Sequence, residues 1–149
     1  MKLKKFLAGL CVAGMIFSQG IVAFAAVDVY FDYESNNTMS TANKAYVDEN
    51  EYAYLCGVVS QDDNDDWFRV RANYSGELDV LLMQQDDVDI DVFLHDKNGN
   101  EIAVLTGEMD RIRDLDVRAG EYYYIHVEHI SGTQTTEPYK VVLMPNYSH

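Results

Sequence analysis

The sequence is short of cysteine, of positive charge and of long apolar runs, and each shortage excludes something. Of 149 residues only Cys11 and Cys56 are cysteines. Cys11 lies in an N-terminal segment expected to be removed, which leaves Cys56 without an intrachain partner. A secreted domain with no disulfide must be held by its core or by a metal. Cys56 sits in an apolar, strand-like run and is expected to be a buried, inert thiol. Basic residues number 11 against 25 acidic ones. Such a chain repels phosphate backbones and anionic membrane surfaces, so nucleic acid is not an expected partner. Cations and basic proteins are the natural counterparts.

Only one apolar run is long, and it reads as an address. Lys2, Lys4 and Lys5 precede an apolar stretch over 6–16, and Ala23-Phe24-Ala25 is an A-x-A cleavage pattern. The stretch is too short to span a bilayer. A signal peptide over 1–25 is therefore expected, with a mature domain over 26–149, no membrane insertion and secretion from the cell. Cys11 does not mark a lipoprotein, because Leu10 stands where a small residue is wanted. Cleavage removes three of the 11 basic residues and none of the 25 acidic ones, so the formal charge moves from −14 to −17.

Catalytic patterns are also missing. The sequence has no G-x-S-x-G elbow and no H-E-x-x-H pair. His126 and His129 are three residues apart, which on a strand sends them to opposite faces. Surface positions are expected for the histidines. About 120 residues of sandwich leave little room for the deep cleft of a glycosidase pair. The expectation is a domain that is not an enzyme.

What remains is a series of short alternating segments divided by polar turns. Strands are expected over 27–33, 51–60, 66–72, 77–83, 88–95, 101–106, 111–117, 122–128 and 139–144, with one helical turn over 41–47. The clearest is 88–95, where Val88, Ile90, Val92 and Leu94 share one face and Asp89 and Asp91 the other. Gly99 supplies the positive φ of a turn after Asp96. The pattern indicates an all-β, antiparallel, jelly-roll-like β-sandwich, single-domain and monomeric. Its core is expected from Phe68, Val70, Leu78, Val80, Leu82, Ile90, Val92, Leu94, Tyr123, Ile125, Val127, Tyr139, Val141 and Leu143.

Two segments carry oxygen ligands of the kind calcium takes. They are Asp32-Tyr33-Glu34-Ser35-Asn36-Asn37-Thr38 and Asp62-Asp63-Asn64-Asp65-Asp66. Neither makes an EF-hand. Counted from Asp62, the sixth position is Trp67 where that loop needs Gly, and the twelfth is Asn73 where it needs Glu. A site assembled from both loops is one reading. Ordinary turns, in which Asp and Asn bond the local backbone, are the other.

The order of these features resembles the bacterial pre-peptidase C-terminal domain, a module appended to secreted proteases and similar to the collagen-binding domains of clostridial collagenases. The resemblance rests on Glu34-Ser35-Asn36-Asn37-Thr38 running into Ala42, on Gly57, on the acidic loop before Trp67-Phe68, on Asp89 to Asp96 with Gly99, on Gly120-Glu121-Tyr122-Tyr123, and on a last strand opened by Tyr139. It implies a jelly-roll-like sandwich whose N-terminal segment and acidic loop clamp calcium. Carried over, the implied ligands are Asp32, Glu34, Asn36, Asn37, Asp63, Asp66 and the backbone carbonyl of Val58. Asp32 stands where the collagenase modules have Glu, and Asn37 where they have Asp. The resemblance therefore implies a weaker site, or one ion where two are held. Collagen binding carries over poorly, since His126-Val127-Glu128-His129-Ile130 replaces a stretch with further tyrosines. Trp67, Tyr122 and Tyr124 form either an exposed aromatic patch for ligand or ordinary sheet packing. The expected activity is that of a calcium-stabilised binding or accessory module for an extracellular protein or polysaccharide. The alternative is a chaperone or inhibitor acting in trans on a secreted peptidase.

Overall fold

A computed structural model describes residues 26–84, 88–107, 110–132 and 138–146. The signal peptide expected over 1–25, Asp87 and His149 lie outside the described residues. Ten strands succeed one another: β1 (Ala26–Phe31), β2 (Asn43–Val47), β3 (Glu51–Gly57), β4 (Asp65–Ala72), β5 (Gly76–Met83), β6 (Val88–His95), β7 (Glu101–Leu105), β8 (Arg111–Val117), β9 (Tyr122–Gly132) and β10 (Tyr139–Asn146). They build two five-stranded sheets, ordered β1-β3-β10-β5-β8 and β2-β4-β9-β6-β7. The two sheets pack as a sandwich.

The sheets are not wholly antiparallel. β1 runs parallel to β3, and β2 runs parallel to β4. A parallel neighbour needs a crossover of about a dozen residues or more. Here each crossover is itself a strand in the opposite sheet. Among the described strands only β6 and β7 are both consecutive in sequence and paired. The chain thus crosses the core at almost every connection.

The helical turn expected over 41–47 is shorter and earlier, a 3-10 turn at Met39–Thr41. Residues 43–47 form β2 instead, because Ala45 and Val47 alternate with Lys44 and Tyr46 and are buried while the latter two are exposed. The Gly99 turn forms as expected. Gly99 has φ 83°, and Asp96 Oδ1 accepts from the Asn98 and Asn100 amides at 2.8 and 2.9 Å.

The expected core is buried except for Tyr123, which packs half-buried against its margin. Ala45, Val47, Ala53, Leu55, Val59, Ala72, Tyr74, Leu105 and Val117 complete it. Cys56 is buried. On β4, Phe68, Val70 and Ala72 point inward as the alternation requires. Asp66 continues that same inward series and is buried with them. A carboxylate in a core-facing position is the feature from which the site is built.

Candidate functional site

The site lies where β1, β3, β4 and β10 end together. The Asp32 amide donates to the Cys56 carbonyl at 2.8 Å, extending the β1–β3 ladder by one residue. The chain then turns across the mouth of the sandwich, and the Trp67 amide donates to the Asn36 carbonyl at 2.9 Å. Segment 32–37 is thereby tied to β3 at one end and β4 at the other. Asn43 Nδ2 adds a bond to the Tyr33 carbonyl at 3.2 Å. The acidic loop between β3 and β4 is closed by Ser60 and Asp63, whose amides and carbonyls exchange bonds of 2.7 and 3.2 Å.

Four carboxylates converge there. Asp32, Glu34, Asp63 and Asp66 each offer one oxygen, all within 4.8 Å of one another. Two asparagines join them. Asn36 Nδ2 donates to Asp32 Oδ1 at 2.7 Å, and Asn37 Nδ2 donates to Asp63 Oδ1 at 3.3 Å. Tyr139, 3% exposed, donates its hydroxyl to Asp66 Oδ2 at 2.6 Å. Gly57 stands opposite Tyr139 in the β3–β10 pair. A Cβ there would lie 2.5 Å from the Tyr139 hydroxyl and 2.8 Å from both Asp32 Cβ and Asp66 Oδ2. The missing side chain is what lets three groups meet.

This arrangement is electrostatically costly without a cation. Burial pushes the Asp66 carboxyl up to about 8; the Tyr139 hydrogen bond opposes the rise, and the charges of Asp32 and Asp63 add to it. Glu34 rises to about 7 through desolvation of a carboxyl set against Asp63, although its side chain is exposed overall. Asp32 is raised as well, by burial first and by Asp63 second. Asn36 and Asp66 are both 0% exposed. Their Oδ1 atoms are buried and have no hydrogen-bond donor among the described residues. An unpaired buried acceptor costs about 1–3 kcal/mol.

These residues fit a hard cation. Every donor is oxygen, as calcium and magnesium require and as zinc or copper sites do not favour. Calcium–oxygen distances of about 2.3–2.6 Å put ligands of one ion no more than about 5 Å apart. The four carboxylates already satisfy that limit. The unpaired Oδ1 atoms of Asp66 and Asn36 are further oxygens of the kind such a cation takes. The structure thus brings together six of the expected ligands, Asp32, Glu34, Asn36, Asn37, Asp63 and Asp66. Val58 comes directly after β3, at the start of the acidic connection. Sequence reasoning missed Tyr139 and Gly57 as parts of the site.

The expected aromatic residues lie elsewhere, on the outer face of the β4-β9-β6 sheet. Trp67 stacks on His126 at 4.3 Å and 9° between planes, and His95 lies 5.2 Å from the same indole. His126 Nε2 also lies 2.6 Å from Asp65 Oδ1. His126 is not a surface histidine, since only 14% of its side chain is exposed. The flat indole face covers it. Tyr122 and Tyr124 lie further along this face on β9, Tyr122 being exposed and Tyr124 half-buried.

Known structures share this architecture. A pre-peptidase C-terminal domain of collagenase from Bacillus anthracis superposes with a TM-score of 0.51, at 14% identity, covering 68% of this chain and 95% of that one. The chain has the fold of a pre-peptidase C-terminal domain. At that identity the likeness concerns the fold alone. A β-glucosidase from Paenibacillus barengoltzii matches over 79% of this chain and 13% of its own, at 11% identity and a TM-score of 0.36, too low to carry an argument. No family model and no curated protein matches the chain. Among the described residues no helix is long and apolar enough to cross a membrane.

Proposed function

We propose that this chain is a secreted, calcium-stabilised binding or accessory module and not an enzyme. The observation that carries the reading is the pair of unpaired, fully buried oxygens on Asp66 and Asn36 beside three further carboxylates. Clustered carboxylates repel one another in the ion-free protein. Calcium would neutralise them and tie segment 32–37 to the sandwich, so that binding free energy becomes folding free energy. Asp32, Glu34, Asp63 and Asp66 would supply charge, Asn36 and Asn37 amide oxygens, and Val58 a carbonyl. Extracellular calcium is commonly millimolar, so a weak site would be filled.

The partner would be an extracellular protein or polysaccharide met by the outer aromatic face. Secretion fits the N-terminal pattern and the fold shared with a collagenase-borne domain. Retention of the purified protein on insoluble polymers, with and without chelator, tests the reading. Retention on at least one polymer, lost on chelation, is expected. Retention on none of them would count against a polymer-binding module. Docking on a secreted peptidase is the second reading, favoured by the acidic surface, which steers toward basic partners. Salt-sensitive co-purification with such an enzyme would support it.

A further inference from the structure

Positive charge is scarce in this chain, and where it gathers is informative. Lys44, Arg69 and Arg71 line one open depression of about 140 Å³ with Ala45, Tyr46 and Tyr122. The ladder explains the convergence. Lys44 on β2 is in register with Arg69 on β4, and Arg69 with Tyr124 on β9; Tyr46, Arg71 and Tyr122 form the next row. Like charges directly opposite on neighbouring strands are destabilising. Yet none of the three cations has an ion-pair partner among the described residues, in a chain with 25 acidic side chains.

Arg69 is held ready. Its guanidinium lies over the Tyr122 ring, 5.0 Å from the centroid, and its Nε is buried without an acceptor. Stacking fixes the plane of the fork and leaves donors unspent. Tyr46 and Tyr122 are each 40% exposed and flank the cations with ring surface. The depression itself is lined almost wholly by polar surface, with exposed tyrosine at its margin, so a single anionic group would sit among the cations with any ring it carries at the rim.

We propose that this depression is a subsite for the carboxylate of an acidic sugar. It rests on the reading of the chain as a binding module and gives that module a ligand class. A uronate would offer its carboxylate to Arg69, Arg71 and Lys44 and its ring to exposed Tyr46 at the margin, the Tyr122 ring being covered by Arg69. The rest of the molecule limits the charge of the ligand. Fields are screened beyond about 8 Å at physiological salt, so a single carboxylate held in the depression meets its three lining cations at the shortest range. A densely charged polyanion would meet the surrounding acidic surface as well. The ligand is therefore a saccharide with sparse carboxylates.

Titrating the labelled protein with methyl glucuronoside, methyl glucoside and a capped aspartate, and monitoring amide shifts, tests this. The glucuronoside is expected to move Lys44, Arg69, Arg71 and Tyr122 and to bind at least tenfold more tightly than either other probe. Arg71→Gln, at an exposed position, is expected to weaken glucuronoside binding about tenfold with melting unchanged; Lys44→Gln serves as the second variant should Arg71→Gln fold poorly. Equal binding of the neutral sugar, or glucuronoside affinity untouched by both variants, would overturn the proposal. Capped aspartate binding as tightly as the uronoside would overturn its assignment to a saccharide. A calcium-dependent rise in melting temperature, measured on the same samples, separates failure of this subsite from failure of the calcium reading.

Discussion

At the scale of single residues the site depends on one side chain that is absent and one that is oddly placed. Gly57 leaves the space in which Asp32, Asp66 and Tyr139 meet. Gly57→Ala would drive a methyl group into a hydroxyl, a carboxylate oxygen and a Cβ at 2.5–2.8 Å. Overpacking of this kind costs about 1–3 kcal/mol. Denaturant unfolding should show that loss, with the calcium response reduced as the carboxylates are displaced. Unchanged stability and an intact response would mean that the site tolerates repacking. Asp66 is a carboxylate on the core face of β4, and its titration has a definite sign. Its folded pKa is raised, to about 8 from an ordinary value of 3.8. The ion-free fold then binds the proton more tightly than the unfolded chain does, and stability falls as pH rises from about 4 to above 8. Glu34, raised to about 7, acts in the same direction. Melting in chelator should therefore drop across that window, and calcium affinity should climb across it as the carboxyls deprotonate. A shallower profile in Asp66→Asn than in the parent would assign that part of the slope to this residue, the remainder belonging to Glu34 and Asp32.

At the scale of elements, β1 is the strand most exposed to the state of the site. Its side chains are almost wholly solvent-facing, with Val27, Val29 and Phe31 all above 40% exposed. It is held by its parallel ladder to β3 and by the tether through 32–37. Hydrogen exchange should show β1 and 32–37 opening more readily than β4 or β9 in chelator. Calcium at about 100 times its dissociation constant should slow that exchange about 100-fold, provided opening releases the ion. Equal protection in both conditions would uncouple the strand from the site.

Much of this was legible in the sequence. Period-2 alternation revealed the inward faces of β4, β5, β6 and β9, and the acidic-Asn segments pointed to the residues that converge at the mouth of the sandwich. The parallel pairs were not legible. Alternation reports which face of a strand is buried but says nothing of its neighbour, and the neighbours here lie far along the chain. The irregularity between β5 and β8 was hidden too. Between Leu78 and Val80 the register with β8 shifts, and Asp79 is buried to accept from Arg111 and from the Asp114 amide. A lone aspartate between two core-facing residues gives no sign of a bulge. His126 was misread for a similar reason. Trp67 and His126 are cross-strand partners, and only pairing shows that one ring covers the other. Asp66, by contrast, could have been placed by extending the Phe68, Val70, Ala72 series one step back.

At the scale of the whole molecule, the fold is a sandwich with two chemically distinct regions. One end gathers negative charge around unpaired buried oxygens. The outer face of the second sheet gathers aromatic rings and three of the few positive charges. The first region fits a role in stability and the second a role in recognition, and the substitutions that probe one leave the other in place. The measurement that tests the central claim most directly is thermal unfolding in calcium against chelator, for the parent and for Asp63→Ala. At about 100 times the dissociation constant, linkage gives about 2.7 kcal/mol, a rise of roughly 10 °C for a domain of this size. Calcium held among the four carboxylates gives that rise in the parent and its loss in Asp63→Ala. Equal melting temperatures of the parent in calcium and in chelator would contradict it.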